Sequence, residues 1–487
     1  MKKRLTTFTT IYNKPEDSNM KNFLGVDFGT TSLKACLFNE KGVRLATESI
    51  QYELITAGEF VEFPADKFFE VFKSVYDKTS ASFSIDALAI DTQGETLITL
   101  DKDGNPLRNA IIWLDNRAEK QANEMQEKFG LKYVYERTGQ AEIPAGYPLP
   151  KIKWLKENEP DLFAKADKFL LLEDYIIYRL TGKFYASRSL YSSSLAMDIK
   201  TGEYIPEFLE FAGIDESKLP TLVESGVVVG EYNGVKVVSS ALDQIAGIVG
   251  AGLTKEGIIS ETTGTALAVC SLTKEFPPYY DGLKVSVYYV KKGVYCLLMW
   301  APTAGATMEW VKKTFCDGLD YGKINELAES VPAGCEGLIC IPHLCGTVMP
   351  ENNSKVKGVF YGMELKHNKG HFIRSVMESV AFTIKEFIEF MQVPTTEIRS
   401  MGGGANSKLW CEIKSSVTGM TVKTLKEKET ACLGSAIFAG VGVGTFESIN
   451  QASTVLVATE KEYSANDNYA EIFENYKNKS KELIKIF

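Results

Sequence analysis

The sequence predicts an α/β protein, with mixed sheets flanked by helices in two similar domains and a cleft between them. Three observations point there. The chain has 487 residues, too many for one ordinary hydrophobic core. Its first hundred residues read as strands in hairpins, then a helix, then a returning buried strand, the order of a mixed sheet with helices packed on it. The opening "FLGVDFGTTSLKACLFNEKG" (23–42) is echoed by "GIISETTGTALAVCSL" (257–272). Each copy has an apolar strand, an acid or hydroxyl, Gly-Thr, and a second apolar strand, so one architecture heads both halves.

In chain order, residues 1–20 begin "MKKRL" but never develop an apolar run. They read as a disordered tail rather than a signal peptide, and Met20 is a candidate start. "FLGVDF" and "KACLFN" are short strands around a hydroxyl-rich turn, and "LATESIQYEL" is a third strand. "PADKFFEVFKSVYDKTS" (64–80) has helical apolar spacing through Phe68, Phe72 and Tyr76. "IDALAIDT" (85–92) is a buried strand, and "GETLITLDKDGNPL" (94–107) a hairpin turning at "DKDGN". The boundary falls near "GAGLTKEG" (250–257), giving a first domain over 21–250 and a second over 251–487. A cleft between similar domains is a favoured ligand site.

Composition excludes several classes. Sixty-three acids stand against 54 bases, for a net charge of −9, which argues against a large nucleic-acid footprint. No run of about eighteen apolar residues offers a membrane span. The nine cysteines form no CxxC pair and fit reduced thiols, hence a cytoplasmic protein. Only three histidines occur, so acid/base work falls to a carboxylate. His367 and His371 in "KHNKGH" sit at a helix start and read as capping or surface groups rather than a metal site.

Five stretches carry chemistry. In the first turn, Gly29 permits a tight bend, and Thr30, Thr31 and Ser32 with exposed amides suit phosphate oxygens. Lys34 adds positive charge, and Asp27 could hold Mg²⁺ through water; a plain hairpin remains the simpler reading. "ETTGTALA" (261–268) offers a second such turn, which would complete a two-sided clamp on a nucleotide. "MGGGANSKLWCEI" (401–413) allows close backbone approach by a flat ligand such as adenine, with Asn406 or Ser407 capping the next helix. In "SALDQIAGIVGAG" (240–252), Asp243 follows a strand and is either a helix N-cap or a catalytic base. Glu95, Trp113, Asp115 and Arg117 could form a sugar site, or an internal Asp115–Arg117 ion pair with a core Trp113.

Together these residues resemble the FGGY carbohydrate kinases, of the sugar kinase/heat-shock chaperone/actin ATPase superfamily. "GYPLPKIKWLKEN" (146–158) fits that family's first signature and "ETACLGSAIFAGVGVG" (429–444) looks like its second. The motifs DFGTTS, WLDNR, KIKW, DQ, TTGT, GGGANS and CLGSA follow in order over nearly the whole chain after residue 20. The resemblance implies two ribonuclease H-like (actin-like ATPase) domains, each with a mixed five-stranded sheet, closing on ATP and a sugar. It implies that Thr30, Thr31, Ser32 and Lys34 lie at the phosphate loop, with Thr265 and Gly305 at the second phosphate-side positions. Gly402, Gly403, Gly404 and Asn406 match the adenosine motif. Asp243 matches the catalytic base, and Asp27 and Asp243 the Mg²⁺ side. Glu95, Trp113 and Gln244 match substrate-binding positions.

The implied reaction is ATP-dependent phosphorylation of a sugar hydroxyl, foremost that of a ketopentose such as D-xylulose. L-ribulose, L-fuculose, gluconate, erythritol and glycerol stay open as substrates, as does a non-kinase ATPase switch. The implied partners are a small-molecule sugar and ATP, with homodimerisation left open. Two departures stand out. Glycerol kinases carry an arginine where this chain has Gly94, which argues against glycerol and suggests room for a longer sugar. Thr347 and Val348 replace a Gly-Glu-Arg pattern, so no role of that motif carries over.

Overall fold

The computed structural model describes residues 7–11 and 20–487. Apolar residues of the first half close into a sheet of seven strands: β1 (Thr7–Ile11), β2 (Asn22–Phe28), β3 (Ser32–Asn39), β4 (Arg44–Gln51), β5 (Ala87–Thr92), β6 (Val228–Tyr232) and β7 (Val235–Leu242). Their spatial order is β1-β4-β3-β2-β5-β7-β6. Strands β2, β3 and β4 form an antiparallel meander, and β5 and β7 add in parallel. Strand β5 is buried at every position, as a central strand covered on both faces must be.

The second half repeats this plan with β8 (Gly257–Thr263), β9 (Leu267–Thr273), β10 (Ser286–Lys291), β11 (Val294–Ala301), β12 (Thr395–Met401), β13 (Thr421–Leu425) and β14 (Thr459–Tyr463). The order is β10-β11-β9-β8-β12-β13-β14. The five central strands of each sheet follow one ribonuclease H-like order, so the duplicated architecture is present. The expected count of five is corrected to seven, because each sheet gains a strand at both edges. The added β14, "TEKEY", is polar and exposed, a composition that shields an edge but hides it from periodicity.

The tail expected over residues 1–20 also needs correction. Thr7–Ile11 pair antiparallel with β4, from Thr7 opposite Ile50 to Ile11 opposite Ala46. The outer edge of β4 offers unpaired backbone groups, and a Thr-rich segment readily fills such an edge. Residues 1–6 and 12–19 of that expectation lie outside the described residues.

Seven helices matter for the site: α1 (Ala65–Ser80), α2 (Pro148–Asn158), α3 (Asp243–Gly250), α4 (Gly305–Phe315), α5 (Lys369–Met391), α6 (Lys408–Thr418) and α7 (Thr430–Gly442). Helix α1 lays Phe68, Val71, Phe72, Val75 and Tyr76 on the first sheet. Residues 97–219 form a separate apolar cluster around Met125, Leu149, Ile152 and Phe208, from which α2 projects. His371 completes the capping of α5 with Asn368 and meets Glu336 at 2.8 Å, a capping role rather than a metal one.

Helix α7 belongs to the second half by sequence, yet it packs on β2, β5 and α3 of the first half. Glycine makes this approach feasible. A Cβ on Gly25 would lie 1.8 Å from the Cys432 carbonyl oxygen, and one on Gly434 would lie 1.9 Å from that of Ala246. Both obstacles are backbone, so no rotamer relieves them. Gly434→Ala is therefore expected to cost about 1–3 kcal/mol or more, seen as a lower urea midpoint. An unchanged midpoint would mean that the helix does not lie this close.

Candidate active site

Strands β2 and β3 are joined by Gly29, Thr30 and Thr31, with Ser32 opening β3. The turn is pinned from behind: the Tyr52 hydroxyl donates to the Gly29 carbonyl, and the Tyr52 amide to Thr31 O at 2.9 Å. Thr31 is exposed and Thr30 half-buried. Lys34 pairs with Glu429 at the head of α7, 2.5 Å away. Burial pulls its ammonium down, but Glu429 more than offsets this and leaves it above its ordinary value. Its charge is thus shared with the other half of the chain.

Asp27 lies opposite Lys34 on β3 and beside Asp91 on β5. Burial raises the Asp27 carboxyl, while Lys34 opposes the rise. Asp91 is fully buried and raised further, by burial and then by Asp27. One Asp91 oxygen accepts from Ser435 of α7 at 2.6 Å, and its Oδ1 has no partner.

Asp243 opens α3 where β7 ends, and its Oδ1 accepts the Gln244 amide at 2.6 Å. It is the first residue of the helix rather than its N-cap, which is Leu242. Burial in the cleft pushes its carboxyl up to about 7, aided by Asp27 and Glu95 and opposed by the Gln244 amide. Part of Asp243 stays open to the cleft, so water there tempers the rise.

A cavity of about 600 Å³ unites five of the expected residues, Thr30, Glu95, Trp113, Asp243 and Gln244. Trp113 is 40% exposed and donates from Nε1 to Thr30 Oγ1 at 3.0 Å, joining this wall of the cavity to the first turn. Asp115 and Arg117 do form the internal ion pair, 2.7 Å apart and buried, so that part of the stretch is structural. Gly94 also lines this cavity. A Cβ there would meet Ser193 Oγ at 2.8 Å and Leu242 Cδ1 at 3.1 Å, so neighbouring side chains already fill the space. A larger groove of about 810 Å³, between Lys156 and Lys218, contains none of the candidate residues.

Sequence reasoning missed several members of this cavity. Tyr288 of β10 and Trp300 of β11 wall it from the second half, and only tertiary folding brings them there. Gln93 also lines it, 3% exposed, with neither end of its amide partnered. Buried amides are rarely left so, and its place two residues before Glu95 was the available signal.

The second turn is built on a backbone weave. Gly305 N donates to Gly264 O at 2.8 Å, and Ala306 N to Thr265 O at 3.1 Å. A Cβ on Gly305 would come within 2.3 Å of the Gly264 oxygen, so this helix start requires glycine. Thr265 stands exposed at the tip. Beneath it, the fully buried pair Glu261–Lys414 (2.5 Å) receives Thr263 Oγ1 at 2.7 Å.

Gly402 has φ +75° and lies close to Thr263 O, and a Cβ on Gly404 would strike the Thr263 side chain at 2.7 Å. These glycines first of all join the two loops. Gly403 is exposed between them. Gly402, Ala405 and Asn406 line a cavity of about 180 Å³ with Leu425, Glu427 and Thr430. Ser407, not Asn406, caps α6 by accepting the Trp410 amide at 3.2 Å.

Among the described residues, no group of three or more His, Cys, Asp or Glu is arranged to hold a metal ion by itself. Asp27 raises the Asp243 carboxyl, both raise that of Asp91, and Asp91 presents an unpartnered oxygen beside them. Such a donor set suits Mg²⁺, which takes one or two carboxylates and completes its shell with water and phosphate.

Comparison with known proteins bears on the family. The profile of the FGGY family of carbohydrate kinases, N-terminal domain, matches residues 22–254, and that of its C-terminal domain matches 262–443. A xylulose kinase of Bacillus subtilis (strain 168) is 29% identical over 483 residues, covering 94% of this chain and 96% of that protein. A gluconokinase of Bacillus licheniformis is 28% identical over 470 residues, covering 90% and 91%. A crystal structure of a ligand-bound xylulose kinase from Lactobacillus acidophilus superposes with a TM-score of 0.86 at 23% identity, covering 96% and 97%, a likeness of fold. The two profiles span most of the sequence between them, and the chain belongs to the FGGY family of carbohydrate kinases, enzymes that transfer a phosphoryl group from ATP to a sugar.

Proposed function

We propose that this enzyme phosphorylates a neutral ketose, D-xylulose foremost, with Asp243 as general base. The observation that carries the reading is the lining of the 600 Å³ cavity. It joins a carboxylate at a strand end to an amide, an aromatic face and a hydroxyl turn. No lysine, arginine or histidine is among the described residues that line it. Glu142 at its rim is already paired with Lys284 at 2.6 Å. An aldonate would bring its carboxylate toward Glu95 and Asp243 without a free counter-charge, which is costly. The uncharged hydroxyls of a ketose find acceptors in Glu95 and Asp243, donors in Gln244 and Gln93, and a C–H platform in Trp113. The names of relatives alone leave both xylulose and gluconate in play.

The chemistry follows from the residues. A sugar hydroxyl is a weak nucleophile, and phosphoryl transfer demands positioning and charge stabilisation above all. Asp243 accepts the hydroxyl proton as the oxygen approaches the γ-phosphorus in line. The amides and hydroxyls at Thr30, Thr31, Ser32 and Thr265 hold the phosphate oxygens, with Lys34 adding charge when phosphate competes with Glu429. Gly402 and Asn406 border the space for adenosine. Asp27 and Asp243 would hold Mg²⁺, which supplies neutralisation of phosphate charge. Closure of the two halves excludes water, the competing acceptor.

Asp243→Asn is expected to lower kcat by roughly 10²–10⁴-fold, while calorimetry shows nucleotide binding retained. Near-normal turnover would remove Asp243 from the role of base. In a coupled assay of ADP release, kcat/KM for D-xylulose should exceed that for gluconate by about tenfold or more, equivalent to about 1.4 kcal/mol. Equal efficiency would overturn the neutral-substrate reading, and release indifferent to any sugar would favour an ATPase switch.

A further inference from the structure

Lysine is seldom buried without a specific partner. Lys151 of α2 is 0% exposed, and its partners lie on two separate walls of the sugar cavity. Its ammonium donates to Glu95 O at 2.9 Å and to Ile112 O at 2.9 Å, and reaches Ile111 O at 3.5 Å. Three donors thus meet three carbonyls, the full capacity of an ammonium. Glu95 comes from the turn after β5, and Ile112 immediately precedes Trp113.

Both walls need such a fastening. Glu95 has φ +58°, a left-handed conformation that costs a non-glycine residue and persists only where surroundings impose it. Trp113 lies on irregular chain beyond a two-residue strand. Its carbonyl packs so closely on Gly146 that a Cβ there would come within 2.2 Å. Gly146 leads directly into α2, so the helix carrying the ammonium also abuts the Trp113 backbone. The Lys151 charge further faces the Glu95 carboxylate, with Asp115 and Arg117 as more distant charges. Burial favours the neutral forms of both groups, and their mutual attraction opposes it.

We propose that Lys151 is a positioning residue for substrate recognition: one ammonium ties the Glu95 turn to the Trp113 segment and so sets the separation of carboxylate and aromatic face across the sugar. This rests on the reading of Glu95 and Trp113 as sugar contacts. An apolar side chain of similar length would fill the same volume but leave the Glu95 carbonyl without this donor, freeing the turn.

The test uses the full chain as wild type, Lys151→Met, Lys151→Arg, Glu95→Gln and the Lys151→Met/Glu95→Gln double variant. KM for D-xylulose, KM for ATP, kcat and melting temperature are measured for each. Lys151→Met should raise the sugar KM roughly ten- to hundredfold, the scale of a small misplacement, and leave the ATP KM unchanged. Lys151→Arg, which keeps a cation and donors, should recover part of that loss. The double variant should lose less than the two single losses combined, because part of the Lys151 effect is exerted through the placement of Glu95.

A sugar KM within twofold of wild type in Lys151→Met, with Glu95→Gln impaired, would overturn the positioning role. So would a matched rise in the ATP and sugar KM values, the mark of a general structural defect. An unimpaired Glu95→Gln would instead overturn the sugar-site reading itself. If Lys151→Met does not fold, Lys151→Arg decides. A sugar-specific KM increase supports the role, and an unchanged sugar KM or matched increases overturn it.

Discussion

The close seating of α7 against the first sheet is the constraint on which the rest of the molecule depends. A helix can approach a strand this nearly only where side chains vanish, and Gly25 and Gly434 provide that at the two contact points. Through this seat the second half reaches the centre of the first. Glu429, just before the helix, meets Lys34; Ser435, one turn in, bonds both Asp91 and Ser240 at 2.6 Å. The turn at Thr30 and the acids behind it are therefore fastened to the domain that carries the Gly402–Asn406 loop. The geometry of transfer between nucleotide and acceptor is set by backbone packing before any catalytic side chain is considered.

Electrostatics gives the cleft its character. Asp27, Asp91 and Asp243 are gathered at the ends of β2 and β5 and the start of α3, where burial disfavours their charged forms. Assembling like charges at low dielectric costs stability, a cost that functional sites commonly bear. Lys34 lies opposite Asp27 on the neighbouring strand and is engaged by Glu429. The first half thus lends the cleft an acidic floor, while the second half contributes a neutral wall of Tyr288 and Trp300.

Much of this was legible in the sequence because the chemistry sits on short loops at strand ends. The runs around Gly29, Gly264 and Gly402 stand out against their apolar flanks, and Asp243 follows a readable strand. The repeat between 23–42 and 257–272 located the duplicated sheets. Edge strands escaped notice because Thr7–Ile11 is a short run dominated by threonine and Thr459–Tyr463 lacks the burial that creates a pattern. Trp113 and the Asp115–Arg117 pair, adjacent in sequence, proved to have opposite fates: one faces the cavity, the other is an internal bond. Periodicity does not separate these. At Gly94 periodicity is equally silent: the direction a side chain would take there is occupied by Ser193, about a hundred residues away. Tyr288, Trp300 and Lys151 acquire meaning only when distant segments meet.

The lining of the sugar cavity bears on what happens after transfer. An alcohol enters uncharged, and a phosphate monoester leaves carrying nearly two negative charges at neutral pH. On the proposed reading, Glu95 and Asp243 line the pocket and no basic side chain is among its described lining residues, so the charge gained in the reaction finds no counter-ion in the pocket wall.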